Sequence, residues 1–446
     1  MRLLVIRGDL QSHSGYSAAA RDYSRSLQGH FDRVLGVDIH YSSARPYEKF
    51  PHPVVAEEEA KHQAKAARRV LVLSFTTPNY YACYPNAVNV GLTFWEADRL
   101  PLQGADRPPW VDQANRMTAI WAPCSHTKGV FETAGVTVPI RVIPWPIRTP
   151  SLPSGRLPDG EIYDLDRRPW LASSLVKLAR FQEPRFRWSR WLMRNAVPQI
   201  AARLLARWRI TSQVIPAPRD FALLCVAQDV PRKALLLLLS EWMEFKRRPL
   251  AEPWSLILKS TPIDPQTPQF TFVSRFWEHV QALKSQLGVS RAKVYLWTGD
   301  LSEAAFQCLL AGTHGQIAAS LGEGFCGPAA LALALGKSLV APRHTALTDY
   351  LAEDYPYRFA TRPACVRFVG DPLGVYDPAS SWHVPAPFAV ADALTRLAAD
   401  SPGRRAEIAT QAFLHFMNWC NPERVERLLA EEVQRLLSSQ ARAAAA

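Results

Sequence analysis

Apolar residues in this chain fall in short uninterrupted runs, separated by longer segments with helical spacing. The first run, Leu3 to Ile6, is continuous rather than alternating. That pattern marks a strand buried on both faces. Further strands are predicted at 33–37, 69–75, 88–94, 120–123 and 140–144, with helices over 110–117 and 126–134, the second capped by Ser125. Strand and helix in turn predict a mostly parallel sheet with helices on both faces, a first Rossmann-like domain over residues 1–150.

The rhythm breaks over 151–218. Pro150, Pro153 and Pro158 mark a linker, and a basic, aromatic segment over 185–209 follows. From Pro184 to Pro218 it holds seven arginines and no acid. On a helix Arg187, Arg190 and Arg194 share one face, with Trp188, Trp191 and Leu192 beside it. Such a helix suits an anionic lipid interface. The blander reading, which the composition favours, is an inserted hairpin kinked at Pro198 with its tryptophans packed on its own domain.

Alternation resumes at Phe221. Strands are predicted at 221–226, 255–260, 293–298 and 315–320, with helices over 233–245, 270–286 and 302–311. A loop, a short buried helix (329–335) and another strand come next. This is a second Rossmann-like domain, 219–400, and helices over 401–446 close the chain, fraying from Gln440. The predicted class is α/β, two such domains facing across a cleft.

Composition narrows the partners. The 446 residues carry 52 Lys and Arg against 40 Asp and Glu, a net charge of +12, which favours anionic partners. Nucleic acid is not expected, because the arginines cluster in one segment without a recognition motif. The seven cysteines never form a C-x-x-C pair, pointing to reduced thiols in a cytoplasmic chain without a zinc site. Only four apolar residues separate Arg2 from Arg7, too few for a signal-peptide core.

The candidate chemistry centres on Ser320-Leu-Gly-Glu-Gly-Phe-Cys-Gly-Pro328, a glycine-rich loop holding one acid, Glu323, at a helix mouth. Loop amides there can face a phosphate or carboxylate, though the pattern also fits an ordinary turn with a solvated glutamate. Arg232 and Lys233 stand at the entry to the helix after the second domain's first strand, placed for a diphosphate. Lys259 ends the next strand. In the first domain the polar loop ending at Gly15 leads from the first strand into a helix, a ligand-binding geometry or a plain tight turn.

With these in place the chain resembles the retaining glycosyltransferases of the GT-B fold, specifically family 4 (glycosyl transferases group 1). The resemblance runs through Gly91-Leu-Thr-Phe-Trp-Glu96-Ala-Asp98-Arg-Leu-Pro101, Trp121-Ala-Pro-Cys-Ser125, Phe131-Glu-Thr-Ala-Gly135, Val142-Ile-Pro144, Arg232-Lys233, Leu256-Ile-Leu-Lys259 and Glu323-Gly-Phe-Cys-Gly-Pro328. It implies sugar transfer, with retention, from a nucleoside-diphosphate donor on the second domain to a glycan or lipid-linked acceptor on the first. The donor would lie near Gly15, Arg232, Lys233, Lys259, Gly322, Gly324 and Phe325. Glu323 and Glu96 are the catalytic candidates. No metal or other cofactor is expected.

Two departures stand out. Where the family carries a second glutamate eight positions after the first, for the nucleotide ribose, this chain has Leu331. Gln228 replaces an arginine, with Arg232 as its substitute. The expectation is therefore a cytoplasmic, peripherally membrane-bound glycosyltransferase of cell-surface polysaccharide synthesis. A catalytically silent GT-B protein that binds a glycan or partner is the alternative.

Overall fold

The computed structural model describes residues 1–12, 14–39, 49–101, 109–148, 160–166, 209–210, 220–250, 252–264, 266–371 and 374–445. The basic segment 185–208, with Arg187, Arg190 and Arg194, lies outside the described residues.

The first sheet is made of β1 (Arg2–Gly8), β2 (Arg33–Asp38), β3 (Arg69–Phe75), β4 (Val88–Leu92), β5 (Ala119–Ala122) and β6 (Ile140–Val142). Its order is β2-β1-β3-β4-β5-β6, all parallel. Leu3, Leu4, Val5 and Ile6 are fully buried, as an uninterrupted apolar run requires when helices cover both faces.

The second sheet comprises β7 (Glu161–Asp164), β8 (Arg209–Ile210), β9 (Phe221–Val226), β10 (Trp254–Lys259), β11 (Val294–Thr298), β12 (Gly315–Ile317), β13 (Ser338–Pro342) and β14 (Arg358–Phe359). Its order is β14-β13-β12-β9-β10-β11-β7-β8. β7 and β8 join antiparallel at one edge. They fall inside 151–218, expected to be linker and insertion, and join the second sheet there; both are too short to show as periodic runs.

Strand order reverses between β1 and β3 in the first sheet and between β9 and β12 in the second. A crevice opens at the carboxyl ends of the strands where such a reversal occurs. The loops leaving β9 and β12 carry Arg232, Lys233 and Glu323, so the topology itself brings them together.

Two features depart from expectation. A hairpin of β15 (Thr361–Cys365) and β16 (Ser381–Pro385) stands beside the cleft. The last helix, Pro422–Ala445, packs back on helix Gly15–Leu27 and on β3 and β4, with Arg148 and Glu426 2.7 Å apart. The helix is described as far as Ala445, and the Gln440 amide donates to the Asn86 carbonyl at 2.6 Å. All seven cysteines are free. No helix among the described residues is long and apolar enough to cross a membrane.

Candidate functional site

After β9 the chain makes a single 3-10 turn, Pro231–Lys233, before helix Leu235–Lys246. Arg232 and Lys233 therefore sit on this turn rather than at the α-helix start expected at 233. Pro231 fixes φ and lacks an N–H, which favours the turn, and Ala234 then adopts a left-handed backbone, φ 50°. Cys326 (φ 65°), at the entry to helix Gly327–Ala334, and Thr345 (φ 48°) do the same. Each such residue costs ~1–3 kcal/mol and persists only where its surroundings fix it. All three border the same cleft.

The cleft holds a network of ion pairs. Arg232 Nε lies 3.0 Å from Glu96 Oε1, Arg232 Nη1 lies 3.7 Å from Glu323 Oε2, and Lys233 Nζ bonds to Glu323 Oε1. Arg232 Nη1 also donates to the Gly322 carbonyl at 2.6 Å, and the Tyr376 hydroxyl donates to Glu96. Burial pushes the Glu323 carboxyl up, but Lys233 and Arg232 together outweigh it and hold the group below the usual carboxylate range. Burial works against the Arg232 charge; Glu96, Tyr376 and Glu323 more than restore it. Glu323 stays ionised at neutral pH, its side chain 9% exposed.

The two domains touch here through backbone. A Cβ at Gly322 would lie 2.5 Å from the Glu96 carbonyl oxygen, and one at Gly324 would lie 2.7 Å from the Trp95 amide nitrogen. Only glycine admits so close an approach. The seam is pinned further by Cys124 Sγ to the Gly324 carbonyl (3.2 Å), Asp98 Oδ1 accepting from the Ser381 amide (2.7 Å) and Asp349 Oδ2 accepting from the Ser125 amide (2.7 Å). Ser125 is the first residue of helix Ser125–Thr133; its cap is Cys124, not Ser125 as predicted.

The remaining candidates divide. Gly15 begins helix Gly15–Leu27 with no atom within 4 Å of where a Cβ would stand, and the Tyr16 hydroxyl meets the Phe94 backbone at 2.9 Å. That helix N-terminus thus faces the Phe94–Glu96 segment. Lys259 ends β10 half-buried, its side chain without a hydrogen bond or ion pair among the described residues; burial, partly offset by Asp300, lowers its pKa to about 8. The Phe325 ring is buried against Phe94 and Trp145, which leaves its backbone but not its side chain for a ligand. Leu331 is buried, and its helix face offers no charge at that position.

Several residues of the site were not anticipated. Tyr376 lies between β15 and β16, beyond reach of any local pattern. Thr345 Oγ1 accepts from the Glu323 amide at 3.1 Å. His126, His344 and His383 also come together near Glu323. Burial, then its neighbours His383 and His126, depresses the His344 pKa to about 3 against the pull of Glu323. Burial also lowers His126 and His383.

A stability prediction follows from His344. The unfolded chain takes up a proton near pH 6.5, whereas folded His344 refuses one until about pH 3. Stability is thus complete above pH 6.5 and falls as pH drops through this window. Urea unfolding at pH 5 should show about 2 kcal/mol less stability than at pH 7.5 from this residue. The His344→Asn variant should lose that part of the pH dependence; an unchanged dependence would show that His344 is not its source.

Among the described residues no group of three or more His, Cys, Asp or Glu is arranged to hold a metal ion. A cavity of about 380 Å³, lined by Phe221, His314, Ser338 and Arg405 among others, lies at the amino ends of β9 and β13. Arg405 stacks there on Phe221 and Trp254, far along the strands from Glu323. The cavity has charges of its own, Asp220, Glu252 and Arg405, but lies at the strand ends opposite the cleft.

No family model and no curated protein matches the sequence. Solved structures do resemble the fold. Anabaena Alr3699/HepE in complex with UDP superposes with a TM-score of 0.58 at 13% identity, over 98% of this chain and 100% of that one. Sucrose-phosphate synthase from Thermosynechococcus elongatus gives 0.56 at 11% identity, over 98% and 100%. A glycosyltransferase from Rickettsia africae ESF-5 gives 0.57 at 12% identity, over 98% of each. With its two facing Rossmann-like domains and helical C-terminal segment, this chain has the GT-B fold.

Proposed function

We propose that the protein is a glycosyltransferase, resembling family 4, that moves a sugar with retention from a nucleoside diphosphate to a glycan or lipid-linked glycan acceptor. The observation that carries this reading is the convergence of Arg232, Lys233, Glu323 and the Gly322–Gly324 backbone at the β9/β12 reversal. Support comes from the fold, shared with a protein solved in complex with UDP and with UDP-glucose.

In this reading the donor lies on the second domain. Its diphosphate takes Arg232 and Lys233, with Lys259 and the amides of Gly322, Gly324 and Phe325 completing the cradle and Gly15 approaching from the first domain. As the bond from sugar to phosphate breaks, negative charge grows on the leaving diphosphate and positive charge on the sugar. Fixed cations meet the first and Glu323 the second without reorganisation. These side chains supply the charge, so no metal is needed; turnover unchanged by EDTA is the expected result, and abolition by EDTA would contradict it. Glu96 now neutralises Arg232, so the diphosphate displaces it and frees its carboxylate toward the acceptor.

Lys259 gives the site a pH signature. Near pH 8 its ammonium begins to lose its proton, and an adjacent diphosphate requires that proton. UDP affinity should be flat from pH 6.5 to 7.5 and fall up to tenfold per unit above pH 8. Lys259→Met should remove the slope; a slope kept in the variant would take Lys259 out of the site.

The basic segment 185–209 suits the inner face of a cell membrane, which supports a lipid-linked acceptor and cell-surface polysaccharide synthesis. Flotation with anionic vesicles, lost when Arg187, Arg190 and Arg194 become Glu, is the expected behaviour; equal flotation of that variant would refute it. Buried, apolar Leu331 favours a second reading, a catalytically silent GT-B module that binds a glycan or partner. It predicts no nucleotide binding.

A further inference from the structure

Three imidazoles meet beside Glu323, from three separate elements. His126 lies in the first turn of helix Ser125–Thr133 on the first domain, His344 follows β13, and His383 lies in β16. The His344 and His383 rings are stacked, centroids 4.7 Å apart and planes 16° from parallel. His344 is 4% exposed. Its Nδ1 is 3.1 Å from Thr345 Oγ1, the same hydroxyl that accepts from the Glu323 amide. The His383 amide donates to the Leu321 carbonyl at 2.8 Å, tying β16 to the Glu323 loop.

The Nε2 atoms of His126 and His344 are buried with no hydrogen-bond partner. Buried polar atoms are seldom left unsatisfied, and an exception asks for a reason. All three rings are held neutral by burial. A neutral imidazole offers one N–H donor and one acceptor nitrogen. That pairing suits hydroxyl groups, which both give and receive, and is poorly suited to an anion, which would call for the protonated ring. Arg232 and Lys233, on the turn after β9 and paired with Glu323, serve the anion.

We propose that His344 and His126 form a hydroxyl-binding subsite for the transferred sugar ring of the donor, with His383 stacked on His344 to hold its ring in place. This rests on the glycosyltransferase reading and deepens it: the cations hold the diphosphate, and the imidazoles read the sugar. His344 and Glu323 are linked through Thr345, so the same backbone that places the carboxylate also places the sugar.

The test compares calorimetric affinities for UDP, UDP-glucose, GDP and GDP-glucose. In the wild type, one sugar conjugate should bind about tenfold tighter than its bare diphosphate, as one or two hydrogen bonds allow. His344→Phe keeps a flat ring on His383 but removes both nitrogens; it should bind the bare diphosphate normally and lose the tenfold gain. His126→Phe, on the other domain and half-buried, should reduce the gain in the same way and serves if His344→Phe does not fold. A full gain in both variants, or no gain in the wild type, overturns the subsite while leaving nucleotide binding standing. If no nucleotide binds the wild type, the glycosyltransferase reading fails and the subsite fails with it.

Discussion

Replacing Arg232 with alanine should cost the protein about 3–5 kcal/mol of stability, read by urea unfolding at pH 7.5. Arg232 is the only residue of the described network that touches both Glu96 and Glu323, whose side chains are 13% and 9% exposed. Without it Glu323 keeps Lys233, but Glu96 keeps only the Tyr376 hydroxyl. A carboxylate deprived of its cation at a closed domain seam bears its full desolvation penalty. Arg232→Lys should recover part of the loss, since one ammonium cannot reach Glu96, Glu323 and the Gly322 carbonyl together as the guanidinium fork does. The double variant Arg232→Ala, Glu96→Gln should be more stable than Arg232→Ala alone, because it removes the stranded charge. A loss below about 1 kcal/mol in Arg232→Ala would mean that the pairs are worth no more than surface ones.

Glu323→Gln should lower turnover by 100-fold or more while leaving the melting temperature within a few degrees of the wild type. The amide keeps the size of the side chain and can still accept from Lys233, so the loop keeps its shape. What it lacks is the negative charge that meets the developing positive charge of the sugar, and one well-placed electrostatic group is worth about 100- to 1,000-fold in such sites. Bare-diphosphate affinity should hold or improve, because Lys233 and Arg232 lose an internal competitor. NMR of the product formed by the wild type should show the anomeric configuration of the donor. Normal turnover in Glu323→Gln would remove this residue from the mechanism, and an inverted product would remove retention.

Much of the fold was legible because strand burial leaves a local mark. The predicted strands 69–75 and 221–226 coincide with β3 and β9, and helix 270–286 is within a residue of Gln269–Leu287 at each end. Continuous apolar runs between helical segments can hardly mean anything but a covered parallel sheet. Legibility failed where an element is short or leans on distant chain. β7 and β8, the last two strands at one side of the second sheet, are only four and two residues long. The Pro231–Lys233 turn was hidden by the leucine run behind it, which reads as one helix until Ala234 turns left-handed.

The site was half legible for the same reason. Arg232, Lys233 and Glu323 follow from their positions at strand ends next to a topological reversal. Their partners come from elsewhere: Glu96 from the first domain and Tyr376 from a hairpin, 136 and 144 residues away from Arg232 in sequence. Glu96 was read as a catalytic candidate, and the structure finds it on Arg232, a pairing that only the approach of two domains creates. The histidines show the limit most clearly. His344 stands just beyond β13, close in sequence to Glu323, yet its stacking on His383 and its proximity to His126 depend on three elements meeting.

In the glycosyltransferase reading the cleft binds a nucleoside-diphosphate sugar through Arg232, Lys233 and Glu323. The most direct test of this is calorimetric titration of the wild type with a panel of nucleoside-diphosphate sugars, repeated with Lys233→Met. Saturable binding of at least one donor at micromolar to low-millimolar concentration is expected, weakened tenfold or more in Lys233→Met, as loss of a charge-assisted hydrogen bond to phosphate requires. No binding of any donor to the wild type, or equal binding to both proteins, would contradict it.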